Sequence, residues 1–416
     1  MATTWVSSRR GRVWAIASVA VGFLLLAFLG SAAAGSIVSS SKATAGPQSH
    51  NTSATTTPRR GTTPAVLTVS PADLAVDVPP NAAVTVRASS GTVRAVALVD
   101  AKGDKVQMQA GPDGTWATSE LLHPSSVYTF TVAATGPDGI ATSTRSTFTT
   151  LKPKVSATYT LIPSSGTVGV GMPVIVRFDW DVATKAQKAE VEKRVKVTSV
   201  PAQLGAWGWL DDRQLMWRPQ NYWLAGTKVT VSTPLHGLQT GDNKWVTDDG
   251  GASFTVGPSM VSSVDMNAHT LTVRRNGAVI RTFPVSTGKP GPTTETRSGV
   301  KVIIERDAVM VMDSATVGIP KSDPNYYKIT TNWNLRLTWT GEFIHSAPWS
   351  VSSQGSQNVS HGCTNMSPAA AEWMFTNSNV GDVVTFTGSS RVFKATDGIG
   401  VWVYDFAGWK ARSALV

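Results

Sequence analysis

Ser360-His361-Gly362-Cys363-Thr364-Asn365 holds the single cysteine of a 416-residue chain. A thiol with no partner in its own chain cannot form an internal cross-link, and Gly362 and Thr364 are not the apolar run in which buried cysteines act as small hydrophobes. Two histidines occur in the last third of the chain: His361 in this hexapeptide, and His345 in Phe343-Ile344-His345-Ser346-Ala347-Pro348-Trp349. One cysteine with histidines elsewhere in the sequence is the pattern of a thiol nucleophile and its base. A free thiol, with a pKa of about 8.5, is mostly neutral at pH 7 and needs an imidazole or a helix N-terminus to become thiolate. Ser367-Pro368 before Ala369-Ala370-Ala371-Glu372-Trp373 reads as a helix start, with Ser as N-cap and Pro at the first position. Cys363 is therefore expected just ahead of a helix N-terminus that favours thiolate. Gly362, lacking a side chain, would let a substrate carbonyl approach backbone N–H groups.

His345, a fourteen-residue spacer and Ser-His-Gly-Cys-x-Asn resemble the signature of L,D-transpeptidases of the YkuD type, cysteine enzymes that cross-link peptidoglycan. The likeness extends over roughly residues 259–416, and residues 65–258 look like the two immunoglobulin-like modules that precede this domain in actinobacterial members. The resemblance implies that Cys363 is the nucleophile, His345 the general base, and the Ser346 carbonyl the group orienting the imidazole. Backbone amides around His361, Gly362 and Cys363 would stabilise the oxyanion. Met312, Tyr327 and Asn365 match positions lining the substrate site, and Trp339 is expected to help order a lid over it. The implied substrates are peptidoglycan stem peptides as donor and acceptor, with D-alanine released through a thioester. Transfer of the thioester to water or to a protein amine are the alternatives, carbapenem β-lactams are the implied inhibitors, and no cofactor is implied. Two positions depart from the family pattern: Thr364 replaces an aliphatic residue, and Thr296-Arg297-Ser298-Gly299 stands where Thr-Pro-x-Gly is usual.

The rest of the chain gives a mostly β reading. Charged residues make up 15%, with 36 Gly and 23 Pro, which favours strands and turns. The net charge of +10 does not indicate nucleic acid, because Lys and Arg are scattered and no recognition motif is present; a basic exterior suits an anionic cell wall. Arg9, Arg10 and Arg12 precede an uncharged apolar stretch at residues 13–34, expected to be a membrane anchor or a signal peptide cleaved near Ala34. The folded part would then lie outside the cytoplasmic membrane. Residues 36–64, rich in Ser, Thr and Pro, read as a linker. Residues 65–151 and 152–258 read as two β-sandwiches with short alternating strands, the second carrying one helix near residues 184–195.

Residues 259–390 would form a β-rich catalytic domain with a short helix after the cysteine. They open with a hairpin at Asn276-Gly277. Residues 314–339 read as a long strand-poor lid. The apolar tail, residues 391–416, is expected to dock on an earlier module, and Trp207, Trp209, Trp217 and Trp223 are expected to pack rather than to bind sugar. A zinc site of His345, His361 and Cys363 is the competing chemistry, and a non-catalytic wall-binding protein the third reading.

Overall fold

The computed structural model describes residues 63–324 and 326–416; the apolar stretch at 13–34 and nearly all of the linker lie outside them. The first sandwich pairs a sheet of Val66–Ser70, Thr85–Ser90, Trp116–Thr118 and Met108–Ala110 with one of Lys105–Val106, Thr92–Asp100, Val127–Thr135 and Ala141–Thr149. Strand alternation fills its core: Tyr128, Phe130, Val132 and Ala134 are buried along one strand, as a period of two requires.

The second sandwich sets Tyr159–Ile162, Val174–Phe178, Gln214–Pro219 and Gly205–Trp209 against Thr167–Val168, Gly250–Val256, Lys228–Thr233 and Lys196–Val200. Its helix, Lys185–Arg194, starts at Thr184, whose side chain accepts from the Gln187 amide in a capping box. Trp209, Trp217 and Trp223 are buried, and the last two stack with ring centres 5.1 Å apart. These tryptophans pack, and Trp207 lies partly buried among them.

In the C-terminal domain a five-stranded sheet runs in the order Ala278–Pro284, Thr270–Arg275, Met260–Asp265, Val383–Thr387, Gly299–Val302. Asn276 and Gly277, with φ of 51° and 85°, make the first hairpin turn. A four-stranded sheet runs Glu305–Asp313, Lys328–Arg336, Phe343–Ser346, Thr364–Met366. The helix Pro368–Asn377 buries Ala370, Ala371 and Met374 in the core shared with Leu335 and Ile344.

The strand-poor reading of 314–339 is corrected. Lys328–Arg336 is a nine-residue strand paired along its length with Glu305–Asp313, so the excursion is confined to residues 314–327. Polar Thr330, Asn332 and Asn334 hide the strand's pattern, and Trp333, at a φ of 58°, interrupts its alternation.

The tail docks on the second sandwich. One apolar core unites Val170, Met172 and Trp217 with Val302, Ile304, Val383, Val401 and Trp409. Trp409 is wholly buried, and a side chain at Gly208 would come 2.9 Å from its indole. Trp402 Nε1 donates to Gly171 O (2.7 Å), and Arg218 donates to Tyr404 O (3.0 Å). Two further backbone bonds, Gly169 N to Val380 O and Gly171 N to Gly381 O, join sandwich to sheet at 2.8 Å each.

Candidate active site

The strand Phe343–Ser346 runs parallel to Thr364–Met366, with His345 opposite Asn365. Cys363 directly precedes the second strand, so sheet pairing brings thiol and imidazole from distant sequence positions to one end of the sheet. Both line a cavity of about 420 Å³ with Met312, Tyr327, His361 and Asn365. Six of the residues expected from sequence are therefore brought together. Ser346 and Gly362 support the site through their backbones, outside the lining.

His345 is buried, and its Nδ1 lies 2.9 Å from the Ser346 carbonyl oxygen. A carbonyl only accepts, so Nδ1 carries the hydrogen and Nε2 is left with its lone pair. Burial pushes the imidazole pKa down to about 4, against a smaller upward effect of the Ser346 bond. Cys363 is also buried, its Sγ 3.6 Å from the Gly341 carbonyl oxygen, and burial pushes the thiol up to about 12. Thiol and imidazole are thus both neutral at pH 7.

That state corrects the expected thiolate. The strand Thr364–Met366 intervenes between Cys363 and the helix, whose N-cap Ser367 already accepts from the Ala370 amide. Desolvation of the sulfur outweighs a dipole a strand away. The Gly362 amide likewise departs from the open oxyanion donor expected: it donates to Ser360 Oγ (3.0 Å), which in turn donates to Cys363 O (2.6 Å). Gly362 has a φ of 130°, where a side chain would be strained.

Tyr327 sits over the thiol, its ring 5.3 Å from that of His361, and burial pushes its hydroxyl to about 12. Burial, with Lys289 nearby, holds the His361 pKa down. Asn365 donates to Ser350 Oγ (3.0 Å). Trp339 lies apart from the cavity: its ring stands over the Arg177 guanidinium of the second sandwich at 5.9 Å, and it is 41% exposed.

Sequence reasoning missed Trp349, Ile329 and Val359, which also line the cavity. Trp349 is 56% exposed, with its ring 6.0 Å from that of His345. Its place four residues after the histidine was the available signal. Among the described residues no three His, Cys, Asp or Glu side chains converge to hold a metal ion.

Residues 260–386 match the family described as the L,D-transpeptidase catalytic domain, and residues 75–239 match a bacterial Ig domain. L,D-transpeptidase 2 of Mycobacterium tuberculosis is 37% identical over 351 residues, covering 84% of this chain and 85% of that protein. L,D-transpeptidase 5 of the same species is 35% identical over 358 residues, covering 84% and 77%. Among solved structures, M. tuberculosis L,D-transpeptidase 3 with a faropenem-derived adduct is 29% identical, with a TM-score of 0.47, and covers 56% of this chain and 98% of its own. With a relative this similar along most of both lengths, and with the catalytic-domain match enclosing both Cys363 and His345, the chain belongs to the L,D-transpeptidase family.

Proposed function

We propose that this enzyme cross-links peptidoglycan stem peptides through a thioester on Cys363. The reading rests on one observation above all: His345, its Nδ1 fixed on the Ser346 carbonyl, shares a cavity with the thiol and keeps Nε2 as a proton acceptor. As Sγ attacks the donor carbonyl its proton passes to Nε2, and the imidazolium then protonates the departing D-alanine amine. An amine of a second stem attacks the thioester, returns a proton to His345 and regenerates the thiol. A carbapenem would meet the same thiol: the S–C bond forms, the lactam C–N bond breaks, and the drug remains attached. The apolar stretch at residues 13–34 supports export, with the folded part working outside the cytoplasmic membrane, anchored or released near Ala34.

Intact mass after carbapenem exposure tests the nucleophile. One equivalent is expected on the native chain and none on Cys363→Ala; equal labelling of the variant would remove Cys363 from the role. Loss of a general base typically lowers a rate by about 10²- to 10⁴-fold, and His345→Ala should acylate slower by that factor while remaining folded. With the imidazole neutral above about pH 4 and the thiol protonated below about pH 12, the native acylation rate should stay level through neutral pH. It should fall only as the medium approaches pH 4, and a steep rise between pH 6 and 8 would contradict the buried neutral pair.

A further inference from the structure

The unusual Thr296-Arg297 is built into both backbone walls of the thiol. Thr296 Oγ1 donates to the carbonyl of Gly362, the residue before the nucleophile, at 2.8 Å. Arg297 donates to Glu342 Oε1 from its amide (3.1 Å) and from its guanidinium (2.8 Å). Glu342 directly follows Gly341, whose carbonyl is the thiol's acceptor. Its other oxygen accepts from Lys301 Nζ at 2.6 Å, and Lys301 is completely buried with its ammonium 3.8 Å from the centre of the Phe386 ring. Asp397 of the tail completes the cluster, 3.3 Å from Arg297 Nε. Breaking such a pair by removing one partner strands a buried charge, and a device of this kind serves geometry better than stability.

We propose that Glu342, gripped by Arg297 and Lys301, is a positioning residue that holds the Gly341 carbonyl against Cys363 and keeps the proton on sulfur until substrate arrives. The loop is braced for this: the Glu342 amide donates to Thr338 Oγ1 (2.8 Å) and the Leu337 amide to the Glu342 carbonyl (2.9 Å). Burial does most to hold the proton on sulfur; Glu342 adds to it, while the Phe343 amide, Lys301 and Arg336 favour thiolate. His345, His361 and Tyr327 are the other titratable groups facing the sulfur. A proline at position 297, with neither an amide hydrogen nor a guanidinium, could supply neither of the two bonds to Glu342.

The inference rests on Cys363 being the nucleophile, and its test is independent of transpeptidation. The purified full chain has one thiol, so alkylation by iodoacetamide reads a single site. Its rate is measured across pH on the limb where it rises with thiolate. Glu342→Gln removes the anion and leaves two cations, and should alkylate faster; a drop of about one pKa unit gives tenfold more thiolate and, after the loss of intrinsic nucleophilicity, roughly threefold in rate. Lys301→Met removes a cation and should alkylate slower by a similar factor. The double variant should return to within about twofold of native, and Glu342→Asp should stay near native. Mere loosening of the loop would expose the sulfur and speed every variant alike, so changes of the same sign, or no change, overturn the proposal. If the glutamine variant fails to fold, the methionine variant decides alone: slower alkylation supports the proposal, and native or faster alkylation overturns it. Failure of the enzymatic reading itself would show instead as carbapenem labelling of Cys363→Ala.

Discussion

The two junctions on either side of the second sandwich are built differently. Toward the first sandwich the contact is largely polar and hollow, with Leu121 packed on the second sandwich's core: His236 Nε2 lies 2.7 Å from Leu121 O and its ring stacks on His123 at 3.9 Å, beside a cavity of about 430 Å³ lined by Lys102, Asp104 and Glu120. Toward the catalytic domain the contact is a filled apolar core crossed by backbone bonds and closed by the chain's own tail. Burial of continuous apolar surface makes neighbouring parts unfold together, whereas a polar contact leaves them largely independent. The second sandwich therefore belongs physically with the catalytic domain.

Trp409→Ala should break the filled junction. Truncation of a buried Trp costs about 3–5 kcal/mol, and calorimetry should show the second sandwich and catalytic domain lowered together as one transition. Two separate transitions, with only one displaced, would dissolve the comparison.

A smaller effect at the same junction depends on pH. Asp382 is buried beside Gly169, its Oδ1 lacks a hydrogen-bond partner, and burial raises its pKa to about 7. Unfolded, it would titrate near 3.9. Between these values the folded state binds the extra proton, so its contribution falls as pH rises through the window. Asp382→Asn should accordingly raise Tm most at pH 8 and only about a third as much at pH 5, part-way into the window; at roughly 2–4 °C per kcal/mol for parts of this size, a gain of several degrees is expected at pH 8. An equal shift at both pH values would mean that the carboxyl's ionisation does not matter there.

The smallest effect belongs to the hollow junction. Removing residues 63–150 should leave carbapenem acylation within about threefold, under roughly 1 kcal/mol in barrier. A larger loss with melting unchanged would show that the first sandwich also shapes the site.

Local signals were legible in sequence. The hexapeptide and its distant histidine placed His345, His361, Cys363 and Asn365 in one cavity, the resemblance added Met312 and Tyr327, and Asn276-Gly277 placed the hairpin. Features made by long-range contact were not. The ion pairs of Glu342 join positions 45 and 41 apart in the chain, and no local pattern marks them. Lys328–Arg336 carries too many polar residues to show a strand's alternation, which is why Trp339 looked like part of a lid. The thiol's protonation followed burial, a property of the folded surroundings that motif chemistry does not encode.

The hydrogen bond from Trp409 Nε1 to Ala206 O spans 203 positions. Chains generally fold from the N-terminus as they are made, yet here part of a mid-chain sandwich's core is filled by Trp409, far downstream. Contacts of such separation form slowly. A chain cut before Trp409 would carry every catalytic group and still lack the side chain that fills the core between sandwich and catalytic domain.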